Sequence, residues 1–146
     1  MATPNFDSGP AVIANVPLIG SGNPEYIVSP LLAAATFAAS TSYPLWTAPN
    51  DGSVWRVTAV SERHTVAAGS AATFVVEVAG AGVAPGSGTA QTGNIALNGT
   101  ANTTVNAAPT TTTNISSGGS VNLVVGSTAT TSLVNCLITV SIQRVS

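Results

Sequence analysis

Few side chains in this sequence can carry chemistry. It holds five carboxylates (Asp7, Glu25, Asp51, Glu62, Glu77), one histidine, His64, and one cysteine, Cys136. Spacing brings two of them together in Glu62-Arg63-His64. On an extended strand alternate residues share a face, so Glu62 and His64 point one way and Arg63 the other. A carboxylate beside an imidazole can orient it as a general base, or the imidazole can ligate a metal. The same pair also makes a polar strand end or an ion pair at a subunit interface. That second role is the expected one, because no further histidine, zinc-ligand spacing or Gly-x-Ser-x-Gly elbow accompanies it. Cys136, in Leu133-Val-Asn-Cys-Leu-Ile-Thr-Val140, reads as a small buried apolar residue. A reactive thiolate needs a nearby histidine or helix N-terminus, and nothing in the sequence ties His64 to Cys136.

Other motifs dissolve on inspection. Ala79-Gly-Ala-Gly-Val-Ala-Pro-Gly-Ser-Gly88 is glycine-rich but lacks the Gly-Lys-Ser/Thr and the following helix that a phosphate loop needs, so it is an inter-strand loop. Asn98-Gly-Thr100, Asn102-Thr-Thr104 and Asn114-Ile-Ser116 match glycosylation acceptors, as an Asn/Thr-rich chain will by coincidence. The threonine-rich run 102–114 fits either a solvated loop and edge strand or a lateral contact between subunits.

Composition excludes more than the motifs do. The 146 residues include 3 Lys+Arg, all arginine (Arg56, Arg63, Arg144), and the formal net charge is -2. Nucleic-acid binding draws on several Lys or Arg contacts to phosphates, which three scattered arginines cannot supply. Charged residues are 5% of the chain, against about 25% in an ordinary soluble domain. A hydrophobic fraction of 45% separates it from disordered chains. No apolar run approaches the roughly 18 residues of a membrane span, and no basic residue precedes Arg56 to make the n-region of a signal peptide. The expectation is a protein made in the cytoplasm, with no membrane and no nucleic-acid partner.

The elements that position these residues read as strands. Pro4, Pro10, Pro17, Pro24 and Pro30 punctuate residues 1–30 as an extended arm, with apolar patches at Val12, Ile13, Leu18 and Ile19 and an aromatic at Tyr26. These five are the expected contacts to a neighbouring subunit or shell. Residues 29–39 fit either helix, from the Ser29-Pro30 start signal, or strand, and are taken as strand. Ala48-Pro-Asn-Asp-Gly52 is a tight turn. The strand 53–65 places Trp55, Val57 and Ala59 on one face and Val54, Arg56, Thr58 and Val60 on the other. The next, 72–78, groups Ala72, Phe74, Val76 and Val78. Shorter strands lie near 94–97, 103–106 and 114–115, then one at 121–125. The last, 133–145, aligns Val134, Cys136, Ile138, Val140 and Ile142. Seven to nine short strands with polar turns between them make an all-β chain: an antiparallel β-sandwich over 31–146, jelly-roll-like, with the arm before it.

The run Leu45-Trp-Thr-Ala-Pro-Asn-Asp-Gly-Ser-Val-Trp-Arg-Val-Thr-Ala-Val60 resembles capsid decoration (cement) and head-fibre base proteins of tailed bacteriophages. Asn94-Ile-Ala-Leu-Asn-Gly-Thr-Ala-Asn-Thr-Thr104, Ser117-Gly-Gly-Ser-Val-Asn-Leu-Val-Val125 and the β-rich C-terminus extend the likeness across 31–146, with Gly119-Ser120 standing where the pattern has Gly-Asp. The resemblance implies a structural protein on the capsid exterior, a homo-oligomer with a trimer preferred, whose partner is the major capsid protein. It implies no catalysis, cofactor or metal. The alternative is a glycan- or receptor-binding module of a fibre or adhesin, using Trp46, Trp55, Tyr26 and Tyr43 as stacking surfaces; it requires two of these rings exposed beside polar loops.

Overall fold

The computed structural model describes residues 25–28, 31–32 and 37–146 of the chain. The described residues form ten strands and no helix: β1 (Glu25–Val28), β2 (Leu31–Leu32), β3 (Ser42–Thr47), β4 (Trp55–Arg63), β5 (Thr73–Ala79), β6 (Thr89–Ala90), β7 (Ile95–Ala96), β8 (Val105–Ala107), β9 (Ser120–Val125) and β10 (Cys136–Arg144). All pairings are antiparallel. One sheet runs β1-β10-β4-β8, with β2 also on β10; the other runs β3-β9-β5-β6, with β7 also on β5. The two sheets face each other as a β-sandwich, the expected class. Leu31 and Leu32 are strand, as read, whereas 37–39 are not strand and lead into a turn at 39–40; among the described residues Glu25–Val28, within the segment read as an arm, is also paired strand.

Alternation explains the core. Val57, Val60, Ile138, Val140 and Ile142 from the first sheet meet Phe74, Val76, Val78, Val121, Leu123 and Val125 from the second. Burying each such side chain contributes about 1.5–3 kcal/mol. The inward faces of β5 and β10 follow the expected pattern, but β10 starts only at Cys136: positive φ at Asn135 breaks the alternation before it, so Leu133 is buried where alternation predicts Val134. The turn at 48–52 also forms: Asp51 Oδ1 accepts from Ser53 N–H at 2.9 Å, and Gly52 takes φ 82°.

The β4 pattern departs from simple alternation. Trp55 and Val57 are buried as expected, but Ala59 is exposed and Val60 buried. Opposite, β10 pairs Ser141 with Ala59 and Ile142 with Val57, so Thr58 is the extra residue of a β-bulge. A bulge adds one residue to one strand and re-aims the side chains beyond it. Counting by twos from Trp55 would send Ser61 and Arg63 inward; the bulge sends Glu62 and His64 there instead.

A second irregularity, between Pro44 and Trp46, lies on β3 at the edge of the second sheet. Proline lacks a ladder donor, and an edge position or a bulge tolerates that.

Candidate functional site

Three features concentrate the polar groups of this molecule. The first is the buried cluster that the bulge creates. Glu62 and His64 are 0% exposed and Cys136 is 1% exposed. Glu62 Oε1 lies 2.7 Å from His64 Nδ1, and Cys136 Sγ donates to the same oxygen at 3.4 Å. His64 Nε2 lies 3.2 Å from the carbonyl oxygen of Gly99. Both ring nitrogens therefore face oxygen atoms, one of a side chain and one of the backbone, which fixes the plane of the ring. Glu62 Oε2 is buried with no protein partner.

The expectation of a polar strand end at Glu62-Arg63-His64 is corrected here. Arg63 is exposed, but its two neighbours are in the core. The expectation that nothing ties His64 to Cys136 is corrected as well, because one carboxylate oxygen serves both. Cys136 is buried as expected. Burial, then the Glu62 charge and the hydrogen bond to it, push its thiol up to about 12. A thiol held neutral and away from solvent is the opposite of an activated nucleophile. Among the described residues no group of three or more His, Cys, Asp or Glu side chains is arranged to hold a metal ion. No described helix is long and apolar enough to cross a membrane.

The second feature is Glu77, which is 4% exposed at the end of β5. Its Oε1 accepts from the Gly86 N–H and, at 3.1 Å, from Asn122 Nδ2. Its Oε2 accepts from Gly88 N–H at 3.0 Å. The glycine-rich segment 80–88 is thus a loop wrapped around a carboxylate, not around a phosphate. Glycine is needed at both contacts: Gly86 has φ 91° with Ser42 Oγ against its open side, and a side chain at Gly88 would strike the Val78 carbonyl. Sequence reasoning missed this role. The available signal was a lone acid ending an apolar strand, directly before a loop rich in unhindered N–H groups.

The third feature is the outer face of the first sheet. Thr58, Ala59, Ser61, Asn106, Ala108, Thr139 and Ser141 line a depression of about 340 Å³ over β4, β10 and β8. No charged side chain lines it. Gln91, fully buried, ties down part of the threonine-rich run: its Nε2 donates to Thr113 Oγ1 at 3.0 Å and its Oε1 accepts from Thr113 N–H at 3.2 Å.

The aromatic rings are engaged internally. Trp55 is 2% exposed and meets half-buried Trp46 edge-to-face at 5.6 Å; half-buried Tyr43 meets Phe37 in the same way at 5.3 Å. Of the expected contact residues, Val12, Ile13, Leu18 and Ile19 lie outside the described residues. Tyr26 belongs to β1, in register with Ile142 of β10. Comparisons with protein-family models, curated proteins and solved structures returned no match.

Proposed function

We propose that this chain is a structural virion protein: a capsid decoration, or cement, protein that bridges major capsid subunits on the outside of the head. It works as a homo-oligomer, with a trimer the preferred count, by burying surface rather than by catalysis. The observation that carries this reading is the uncharged depression on the outer face of β4, β10 and β8, lined by short hydroxyl, amide and methyl side chains. The centre of a protein interface is depleted in charge, because an ion buried there loses its water. Here the depression carries short Thr, Ser, Asn and Ala side chains that can be covered without stranding an ion and can hydrogen-bond to a partner. The interior supports the same reading, since the one His-carboxylate-thiol cluster is sealed in the core and its thiol is held neutral.

Residues 1–24 supply the second contact in this proposal, docking their apolar patches on the shell by strand addition. A single arm binds weakly, and several tethered in one oligomer bind together through their effective concentration. The test is co-sedimentation of the chain with undecorated capsid shells, beside sedimentation equilibrium of the free protein. Full occupancy on shells is expected, falling severely for Ser61→Asp and for a chain lacking residues 1–24. The truncation stops there because Glu25–Val28 is a strand of the sheet. A stable monomer with no affinity for shells overturns the reading.

A further inference from the structure

We propose that Asn98-Gly99 is a self-modifying site: the folded chain converts Asn98 to aspartate and isoaspartate without an enzyme. The chemistry needs two groups, a side-chain amide carbon and the backbone nitrogen of the next residue. That nitrogen attacks Asn98 Cγ, the bond from Cγ to the amide nitrogen breaks, and ammonia leaves with the proton shed by Gly99. The five-membered imide that remains takes up one water. Opening at Cγ restores an aspartyl chain; opening at the main-chain carbonyl gives isoaspartate. Water enters and ammonia departs, so nothing else is required.

Three observations single out this position. It is the one Asn-Gly pair in the sequence, and glycine leaves the attacking nitrogen unshielded and its backbone free to turn. Asn98 is exposed in the bend after β7. Among the described residues, neither the Asn98 side chain nor the Gly99 N–H has a hydrogen-bond partner; only the Gly99 carbonyl is engaged, by His64.

The molecule contains its own control. Asp51-Gly52 can close the same imide, though more slowly because an ionised carboxylate is a poorer electrophile than an amide, and there both reactants are also occupied: Asp51 Oδ1 accepts from Ser53 N–H at 2.9 Å and Gly52 N–H donates to Ser117 Oγ at 3.0 Å. Asn114, another exposed asparagine, has its Oδ1 bound by Arg56 Nη2 at 2.8 Å. Conversion at Asn98 adds one negative charge to a chain whose formal charge is -2. The isoaspartyl form also lengthens the main chain just before the carbonyl that His64 contacts.

The experiment ages the full-length folded chain at mildly alkaline pH and reads peptides by mass spectrometry, beside a free peptide spanning 94–101. A one-dalton gain confined to the Asn98 peptide is expected, with isoaspartate detected there and Asp51 unchanged. The folded rate should match the free peptide within about tenfold, because no local structure holds the reactants apart. Gly99→Ala should slow it by about tenfold or more, since a Cβ hinders the attack. This variant is clean: a Cβ at Gly99 meets nothing within 4 Å. Asn98→Gln should abolish the gain. A folded chain about a hundredfold slower than the peptide overturns the proposal, as does equal conversion at Asp51 or Asn114.

Discussion

Glu62 and Glu77 are both buried carboxylates in a chain with few charges, one in each sheet, and they are satisfied in opposite ways. Glu77 is held by backbone: two N–H groups of a glycine-rich loop and an asparagine amide occupy its two oxygens. Glu62 is held by side chains: one oxygen takes both the His64 ring and the Cys136 thiol, and the other takes nothing. Backbone donors cannot lose their protons or be mutated away singly, so the Glu77 arrangement is tied to the loop's conformation. The Glu62 arrangement depends on the identity and protonation of two neighbours. The difference teaches that a buried acid can organise a loop or can be matched to a buried base, and that only in the second case do its partners depend on the protonation of neighbouring side chains.

The largest effect expected from breaking this contrast is at His64. His64→Ala strands the Glu62 carboxylate in the core with only a thiol, which should cost about 3–5 kcal/mol. Replacing both partners by apolar residues, Glu62→Met with His64→Leu, should recover most of that loss, because a buried pair exchanged for hydrocarbon is often neutral or stabilising by about 1–4 kcal/mol. Urea denaturation of the three chains checks it. A double variant as unstable as the single one means that the pair does more than satisfy itself. Next comes the wall behind it. Ile138 is fully buried and in register with Glu62, and Ile138→Ala should cost about 2–5 kcal/mol. A loss below about 0.5 kcal/mol would take β10 out of the core.

Glu77→Gln gives a smaller and more local effect. The new amide presents N–H to one of two backbone N–H groups, so one bond is lost and two donors oppose each other, at about 1–3 kcal/mol. Hydrogen exchange should accelerate at Gly86 and Gly88 and stay unchanged on β10. Faster exchange across both sheets would mean that the loop is not a separate unit around Glu77.

These two sites also mark how far sequence carries the structure. Period-two alternation was enough for the sandwich and for the inward faces of β5 and β10, because apolar residues there recur without interruption. Turn chemistry sufficed for 48–52. Alternation failed at Thr58, since a bulge depends on what β10 offers opposite it, and a single strand's sequence does not contain that. One uncounted residue moved Glu62 and His64 from surface to core. Pairing them with Cys136 required the β4–β10 register, which joins residues more than seventy positions apart. Glu77 was hidden for a different reason: its partners are backbone N–H groups of a loop, and their direction is a property of conformation rather than of residue type. The self-modifying Asn98-Gly99 was visible as a dipeptide, but that its reactants are free, where those of Asp51-Gly52 and the Asn114 side chain are engaged, lies in hydrogen bonds made by other residues.

The smallest effect near neutral pH, and the one that tests the Glu62 arrangement most selectively, belongs to Cys136. Its thiol titrates near 9.0 when unperturbed and is pushed up to about 12 in the folded chain, by burial first and then by the Glu62 charge. The folded state therefore holds its proton more tightly than the unfolded state does. Stability from this group is complete below pH 9 and is lost progressively as pH rises from 9 towards 12, because the unfolded chain gains by ionising while the folded chain cannot. Cys136→Ala removes the titrating group along with a small packing contribution. The expected result is that the urea midpoint of the native chain falls between pH 8.5 and pH 11 by more than that of the variant, each measured against its own value at about pH 7. The chain has no lysine to titrate in that window, and tyrosine and arginine are common to both proteins, so the difference between the two slopes isolates the thiol. Parallel slopes would mean that Cys136 ionises as easily folded as unfolded, and the thiol could not then be sealed beside a buried carboxylate.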